Sequence, residues 1–566
     1  MVSHPRFSKA GLPLRQLLPE AEWIGLQDLA VHRVVSDPRE VRPGDVWVAV
    51  GSRKKATGNP LSYPKGSQVG TGIAPPHGGV LPEEAALAVA RRAAAVVAET
   101  PLPGLPIPQV VVPDVREAWG RICQALAGHP SKTLKVVAVT GRLGVTPTCW
   151  LLRRVLAEAG YQPGLLTPQG RFDGKHWKLV GQDISGPDTL AERLAQMLDC
   201  QCTHAVIEVS PRALAEKHLA GMDLDVVCLA PFGRKETLGR GKSTSEQQIP
   251  PTVGRSAESA SGGRQSKDQN KAPNRSPCPS PRPHPRVAAL QEGLFQYLTP
   301  EGLTVLSADD PLSAEWLPFL EGPVLTVGVR RMAEITARLL EQQLAEQTFL
   351  LQAGTDVTPV RTRRIGNEHI ISCLLAAAVG LAYGIELAPV VRALELVESV
   401  PGHLERIERG QPFGVFLEAA RNGVGLCQGL GTLKRLCEGR LWCVAGLGMN
   451  QQKKADLFQR VLPRYVDRLL LTVESFSQGV GQAKEPACVR AVRERFAAGQ
   501  ALWFPDRGEA IWTALQQAEA GDCVVVLCSR EKTSLPAANA SSDWADRQMI
   551  QGCLECLYPE ELPLTG

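Results

Sequence analysis

No run of about 18 apolar residues occurs in this chain, so nothing in it reads as a membrane span. The opening stretch "MVSHPRFSKAGLPLRQLLPE" also lacks the apolar core of a secretion signal. A cytoplasmic protein without membrane insertion is therefore expected. Aromatic residues make up only 5% of the 566 and the basic residues are scattered, which argues against nucleic-acid binding. Net charge is a mere +4. Cysteine is not scarce, but a repeated cysteine spacing is missing among the 15. Cys228, Cys443, Cys523 and Cys528 sit in apolar, strand-like stretches and read as reduced, buried small hydrophobes. The pair Cys553–Cys556 has metal or redox spacing but stands alone, on what reads as a C-terminal helix.

What is present is length and rhythm. A chain of 566 residues is too long for one core, and three to four domains are expected. Residues 1–133 carry short β-like runs, "DVWVAV" (45–50), "AAAVVAE" (93–99) and "PQVVVP" (108–113), with a Gly- and Pro-rich long loop over 50–82. From 134 apolar strands alternate with amphipathic helices, the pattern of an α/β unit with a mostly parallel sheet and helices on both faces. That rhythm stops over 239–285, which has almost no large apolar residue and cannot offset the entropy of ordering; a disordered insertion is expected there. Order resumes at "LTVLSADDP" (303–311), with helices near 366–384 and 387–398. After about 402 a third alternating unit begins. Its strands are read at 413–419, 440–448, 466–473, 501–505 and 522–529, a Rossmann-like pattern.

The stretch "VVAVTGRLGVTPTCWLL" (136–152) has the layout of a phosphate-cradling loop: an apolar strand, two glycines, then a helix start whose backbone N–H groups face an anion. Such a loop places a lysine just before its Thr/Ser, and here that position is Val145. Loss of a cation that stabilises a phosphoryl-transfer transition state costs about 3–4 kcal/mol, a hundred- to thousand-fold in rate.

These landmarks, with "SDPREVRPGDVWVAV", "THAVIEVSPRAL", "LSADDP", "SVPGHLERI", "PDRGEAI" and "GDCVVVL" in order, resemble the Mur ligases, most closely the UDP-N-acetylmuramoyl-tripeptide synthetases of peptidoglycan biosynthesis. The resemblance implies three domains: a UDP-sugar-binding-like domain over 1–133, a P-loop-like ATPase domain over 134–402 interrupted at 239–285, and a Rossmann-like domain over 403–566. It implies ATP and Mg²⁺ as cofactors, formation of an acyl phosphate, and its capture by an amine. A UDP-linked precursor or another cell-wall enzyme is the implied partner, and a monomer is expected.

Carried onto this chain, the resemblance marks Gly141, Arg142, Gly144, Thr146, Asp309 and Asp310 for nucleotide, and Thr146 and Glu208 for metal. Ser36, Asp37 and Arg39 are marked for the UDP-sugar, and Lys453 and Lys454 for phosphate contact from the C-terminal domain. The same comparison finds departures. Val145 replaces the loop lysine, Pro231 an asparagine, and Lys235-Glu236 an Asp-His pair. Gln291 falls at the metal-supporting carbamylated lysine, and His369 and Ser372 at two asparagines. Glu418 and Arg421 replace Asp and His, Ser477 replaces the arginine that grips the incoming amino acid, and Lys532 a carboxylate. No residue is assigned a catalytic role. The expectation is a family member with degenerate motifs that acts by binding. The alternatives are an active amide-forming ligase with a rebuilt site, supported by the basic candidates Arg142, Arg212, Lys453 and Lys454, and a scaffold acting through 239–285.

Overall fold

The computed structural model describes residues 11–25, 28–51, 82–179, 186–233, 293–419, 423–448, 451–472, 485–528 and 542–559. The insertion expected at 239–285 and nearly all of the loop expected at 50–82 lie outside these residues, as do Lys235, Glu236, Gln291, Arg421, Ser477 and Lys532.

Three larger sheets organise the chain, each built from strands of one sequence segment. The first has five strands in the order Glu22–Ile24, Gln109–Val111, Ala95–Ala98, Val46–Val48, Val34–Val35, parallel except for the Glu22–Ile24 edge. Behind it lies the helix Val115–Leu126, started by Asp114, whose carboxylate accepts the N–H groups of Arg116 and Glu117.

The central sheet has eleven strands. Its parallel core runs Pro163–Leu166, His204–Glu208, Lys135–Thr140, Leu224–Leu229, Leu298–Ser307, Val324–Gly328 and Ile335–Gln342. The strand "KVVAVT" is buried from Val136 to Thr140, and its residues alternate between two cores. Val137 and Val139 pack with Cys149, Leu152 and Val155 of the helix Val145–Glu158 and with the helix Asn367–Ala382. Val136 and Ala138 pack on the opposite face with Leu190 and Leu194 of the helix Pro187–Asp199.

This is the mostly parallel sheet expected, with antiparallel strands added at both edges. Gly170–Phe172 and Trp177–Leu179 add an antiparallel hairpin at one edge, and Gln347–Ala353 and Asp356–Thr362 add two antiparallel strands at the other. These edge strands, and the strand Ile335–Gln342 on which the second pair builds, are hard to read from sequence. Ile335–Gln342 reads "ITARLLEQ", with Arg338 to Glu341 exposed, so it offers no sustained apolar run.

The C-terminal sheet has the order Glu405–Arg406, Gly414–Glu418, Cys523–Leu527, Leu441–Gly446, Arg468–Thr472, Ala501–Phe504, parallel except for the first strand. Its five long strands fall where the alternation places them. Cys228, Cys443, Cys523 and Cys528 are buried, while on the helix Ser542–Leu557 Cys553 is buried and Cys556 exposed. No group of three metal-ligating side chains occurs among the described residues. No helix among them is long and apolar enough to cross a membrane.

Candidate functional site

The strand Lys135–Thr140 lies where the central sheet's chain order reverses: its neighbours are His204–Glu208, with Pro163–Leu166 beyond it, on one side and Leu224–Leu229 on the other. Ligands of open α/β sheets bind beyond the carboxyl ends of strands at such a reversal. Here a cleft of about 460 Å³ opens, walled by residues 141–147, by Glu208 to Pro211, by the start of the helix Asn367–Ala382, and by His403, Leu404, Glu418 and Ala419.

The loop itself is welded to its neighbour. The N–H groups of Arg142 and Leu143 both donate to the carbonyl of Pro231, at 3.2 and 3.1 Å. Asp310 fixes that acceptor's position, since its buried carboxylate takes the N–H of Phe232 at 2.6 Å. Gly141 has φ +150°, and a Cβ there would lie 2.4 Å from the carbonyl oxygen of Ala230. Gly144, at φ +70°, precedes the helix, and the Ser372 hydroxyl lies 3.2 Å from its carbonyl oxygen. Val145 is half-buried against the central core.

The hydroxyl of Thr146 donates to Glu208 at 2.6 Å and lies 3.2 Å from Gln169 Oε1. Gln169 Nε2 in turn is 3.1 Å from His403 Nε2, which links the central sheet to the segment entering the C-terminal domain. The opposite wall holds Arg364, a buried guanidinium whose Nη2 donates to the His403 carbonyl and whose Nη1 lies 3.2 Å from His369 Nδ1. Burial pulls Arg364 down to about 10. Burial first, and Arg364 second, hold His369 well below the usual imidazole range, so it is neutral and its Nδ1 accepts. Burial raises Glu368.

The cleft thus gathers Gly141, Arg142, Gly144, Thr146 and Glu208. The other candidates lie elsewhere. Asp309 accepts the N–H groups of Val329, Arg330 and Arg331 and organises that turn, while Asp310 stands behind the loop. In the N-terminal domain Arg39 grips Asp37 with Nε and Nη2 at 2.7–3.1 Å, and the carbonyl of Ser36 accepts the Trp47 indole N–H. Hydrogen bonding to Arg39 lowers Asp37. Lys453 is exposed, and the Lys454 ammonium lies 5.6 Å from the centre of the Phe458 ring. Gln169, Arg364, Glu368 and His403 were not singled out from sequence. The one usable signal was the charge in "RRIGNEH" directly before an apolar helix.

Residues 402–530 match the model of the Mur ligase glutamate ligase domain. The UDP-N-acetylmuramoyl-L-alanyl-D-glutamate–2,6-diaminopimelate ligase of Geobacillus kaustophilus is 26% identical over 523 residues, covering 91% of this chain and 95% of the relative. The chain is therefore similar to the Mur ligases over nearly its whole length. The corresponding ligase of Syntrophomonas wolfei is 25% identical, with 89% of this chain and 91% of its own length covered. A solved structure of a ligase with the same specificity aligns at TM-score 0.60 with 20% identity, over 97% of this chain and 99% of the other. The MurF ligase of Thermotoga maritima, solved in complex with ADP, aligns at 0.53 with 15% identity over 94% and 100%. These two structures share the three-domain α/β architecture of this chain.

Proposed function

We propose that this Mur-ligase-like protein has given up phosphoryl transfer and acts in the cytoplasm by binding, with a UDP-linked peptidoglycan precursor or another cell-wall enzyme as its partner. The observation that carries this reading is the state of the loop. A triphosphate is held by inward-facing backbone N–H groups and a lysine ammonium. Here two of those N–H groups are spent on the Pro231 carbonyl and the ammonium position is an isopropyl group, Val145.

The metal side points the same way. Thr146 gives its only hydroxyl proton to Glu208 at 2.6 Å, and the next side chains in line, Gln169 and His403, are an amide and an imidazole rather than carboxylates. The residues present do not fit Mg·ATP gripped in the family manner. What remains in the cleft is a hydrogen-bonded set, Glu208–Thr146–Gln169–His403–Arg364, that ties the central sheet to the C-terminal domain.

The test is isothermal titration of the whole protein with Mg·ATP, together with phosphate release in the presence of UDP-muramoyl-dipeptide and a panel of amino acids. Expected are weak or absent nucleotide binding and no turnover. Micromolar affinity with turnover would establish the second reading, an amide-forming ligase with a rebuilt site.

A further inference from the structure

A second concave site lies on the central domain, away from the cleft. The hairpin Gly170–Phe172/Trp177–Leu179 pairs Arg171 directly opposite Lys178, and Phe172 opposite Trp177. Cross-strand partners share a face. Phe172 and Trp177 therefore point together to one side, where their rings stack at 5.0 Å, Trp150 stacks on Trp177, and the Arg153 guanidinium covers both hairpin rings. That face is accounted for as packing.

The other face is not. Arg171 and Lys178 stand side by side, and across from them the helix Pro187–Asp199 presents Arg193 and Gln196, with Leu166 and Met197 as the floor. His176 adds a fourth basic group at the rim. Like charges opposite each other on a sheet are destabilising, and neither the Arg171 nor the Lys178 side chain makes a hydrogen bond or ion pair among the described residues.

The acids nearby are committed. Asp173 accepts the N–H groups of Lys175 and His176 and faces His176 Nδ1 at 3.3 Å. Glu192 accepts the Gln196 amide and reaches Arg193 only at 3.9 Å. Arg193 gives Nη1 to Gln196, and its buried Nε has no partner. The notch has a volume of about 30 Å³ and opens to solvent. A tetrahedral oxyanion fits that space, and a nucleotide does not.

We infer that Arg171, Lys178 and Arg193 form a binding site for a single phosphate group, taken as inorganic phosphate or as a phosphomonoester. Two guanidiniums that converge from a strand and a helix suit the paired oxygens of such a group, and the ammonium adds a point charge. The anion would relieve the repulsion between neighbouring cations and pin the hairpin to the helix. This site does not depend on how the ligase cleft is read.

The experiment is thermal denaturation and isothermal titration of the whole chain with inorganic phosphate and with glycerol 2-phosphate, each against sodium chloride at matched ionic strength. Expected is a saturable rise in Tm that chloride does not reproduce. Affinity should fall at least tenfold in Arg171→Gln and in Arg193→Gln, and persist in Arg142→Gln at the cleft. Arg171→Lys, which keeps the charge, should retain part of it, showing that the loss is not one of folding. Saturable binding of either probe supports the site, and the tighter of the two identifies the source of the phosphate group. No effect beyond chloride would overturn it, as would binding abolished by Arg142→Gln and unchanged by Arg171→Gln.

Discussion

Gly141 shows how little room the loop has. Its φ of +150° and the Ala230 carbonyl 2.4 Å from where a Cβ would sit leave no place for a methyl group. Gly141→Ala should therefore lower stability by about 1–3 kcal/mol, seen as a drop in the urea midpoint at unchanged slope. Val145→Lys asks a different question. It restores an ammonium, but the N–H groups of Arg142 and Leu143 remain on the Pro231 carbonyl. The expected outcome is no phosphate release by the variant. Turnover in Val145→Lys would show that charge alone was missing and that the backbone contact is no obstacle.

At the scale of elements, the C-terminal helix Ser542–Leu557 is held by a fully buried, two-pronged ion pair: Arg507 Nε to Asp546 Oδ1 at 2.6 Å and Nη2 to Oδ2 at 2.8 Å. The same Nη2 reaches the carbonyl of Leu527 at the end of a central strand. Removing one partner strands the other charge away from water, so Arg507→Leu should cost about 3–5 kcal/mol. Replacing both partners, with Asp546→Leu added, should recover part of that loss in a double-mutant cycle read by urea denaturation.

Elements also decide what could be read from sequence. Strands buried on both faces, such as "KVVAVT" and "CVVVL", declare themselves as continuous apolar runs. The hairpin Gly170–Phe172/Trp177–Leu179 and the strands over 335–362 do not, because their burial comes from one side and depends on partners distant in the chain. For the cleft, the loop glycines and Thr146 were marked from sequence because they share one local spacing, and Glu208 through the family resemblance. Gln169, Arg364 and His403 were not, since only folding brings residues 169, 364 and 403 together.

For the whole molecule, the histidines set a pH limit. His369 is held well below its ordinary 6.5, and His204, also buried, is lowered. The unfolded chain takes up protons near 6.5 while the folded chain does not, so this contribution is fully present above about 6.5 and lost as pH falls toward the folded values. Glu216, drawn down to about 2 mainly by its hydrogen bond with His218, has a transition of the same sign in a more acid window: its contribution holds above its ordinary 4.5 and is lost only as pH falls below that. The urea midpoint should therefore fall between pH 7.5 and 5, and His369→Asn should flatten that fall. A midpoint constant over this range would mean that neither histidine stays neutral in the folded protein.

The bond from residues 142 and 143 to Pro231 has one more consequence. Amide protons in an open anion receptor trade with the surrounding water almost freely, whereas these two are engaged with a carbonyl. Their deuterium uptake should consequently be slow, and it should stay equally slow when nucleotide is added, making two ordinary protons a clock for whether the receptor ever opens.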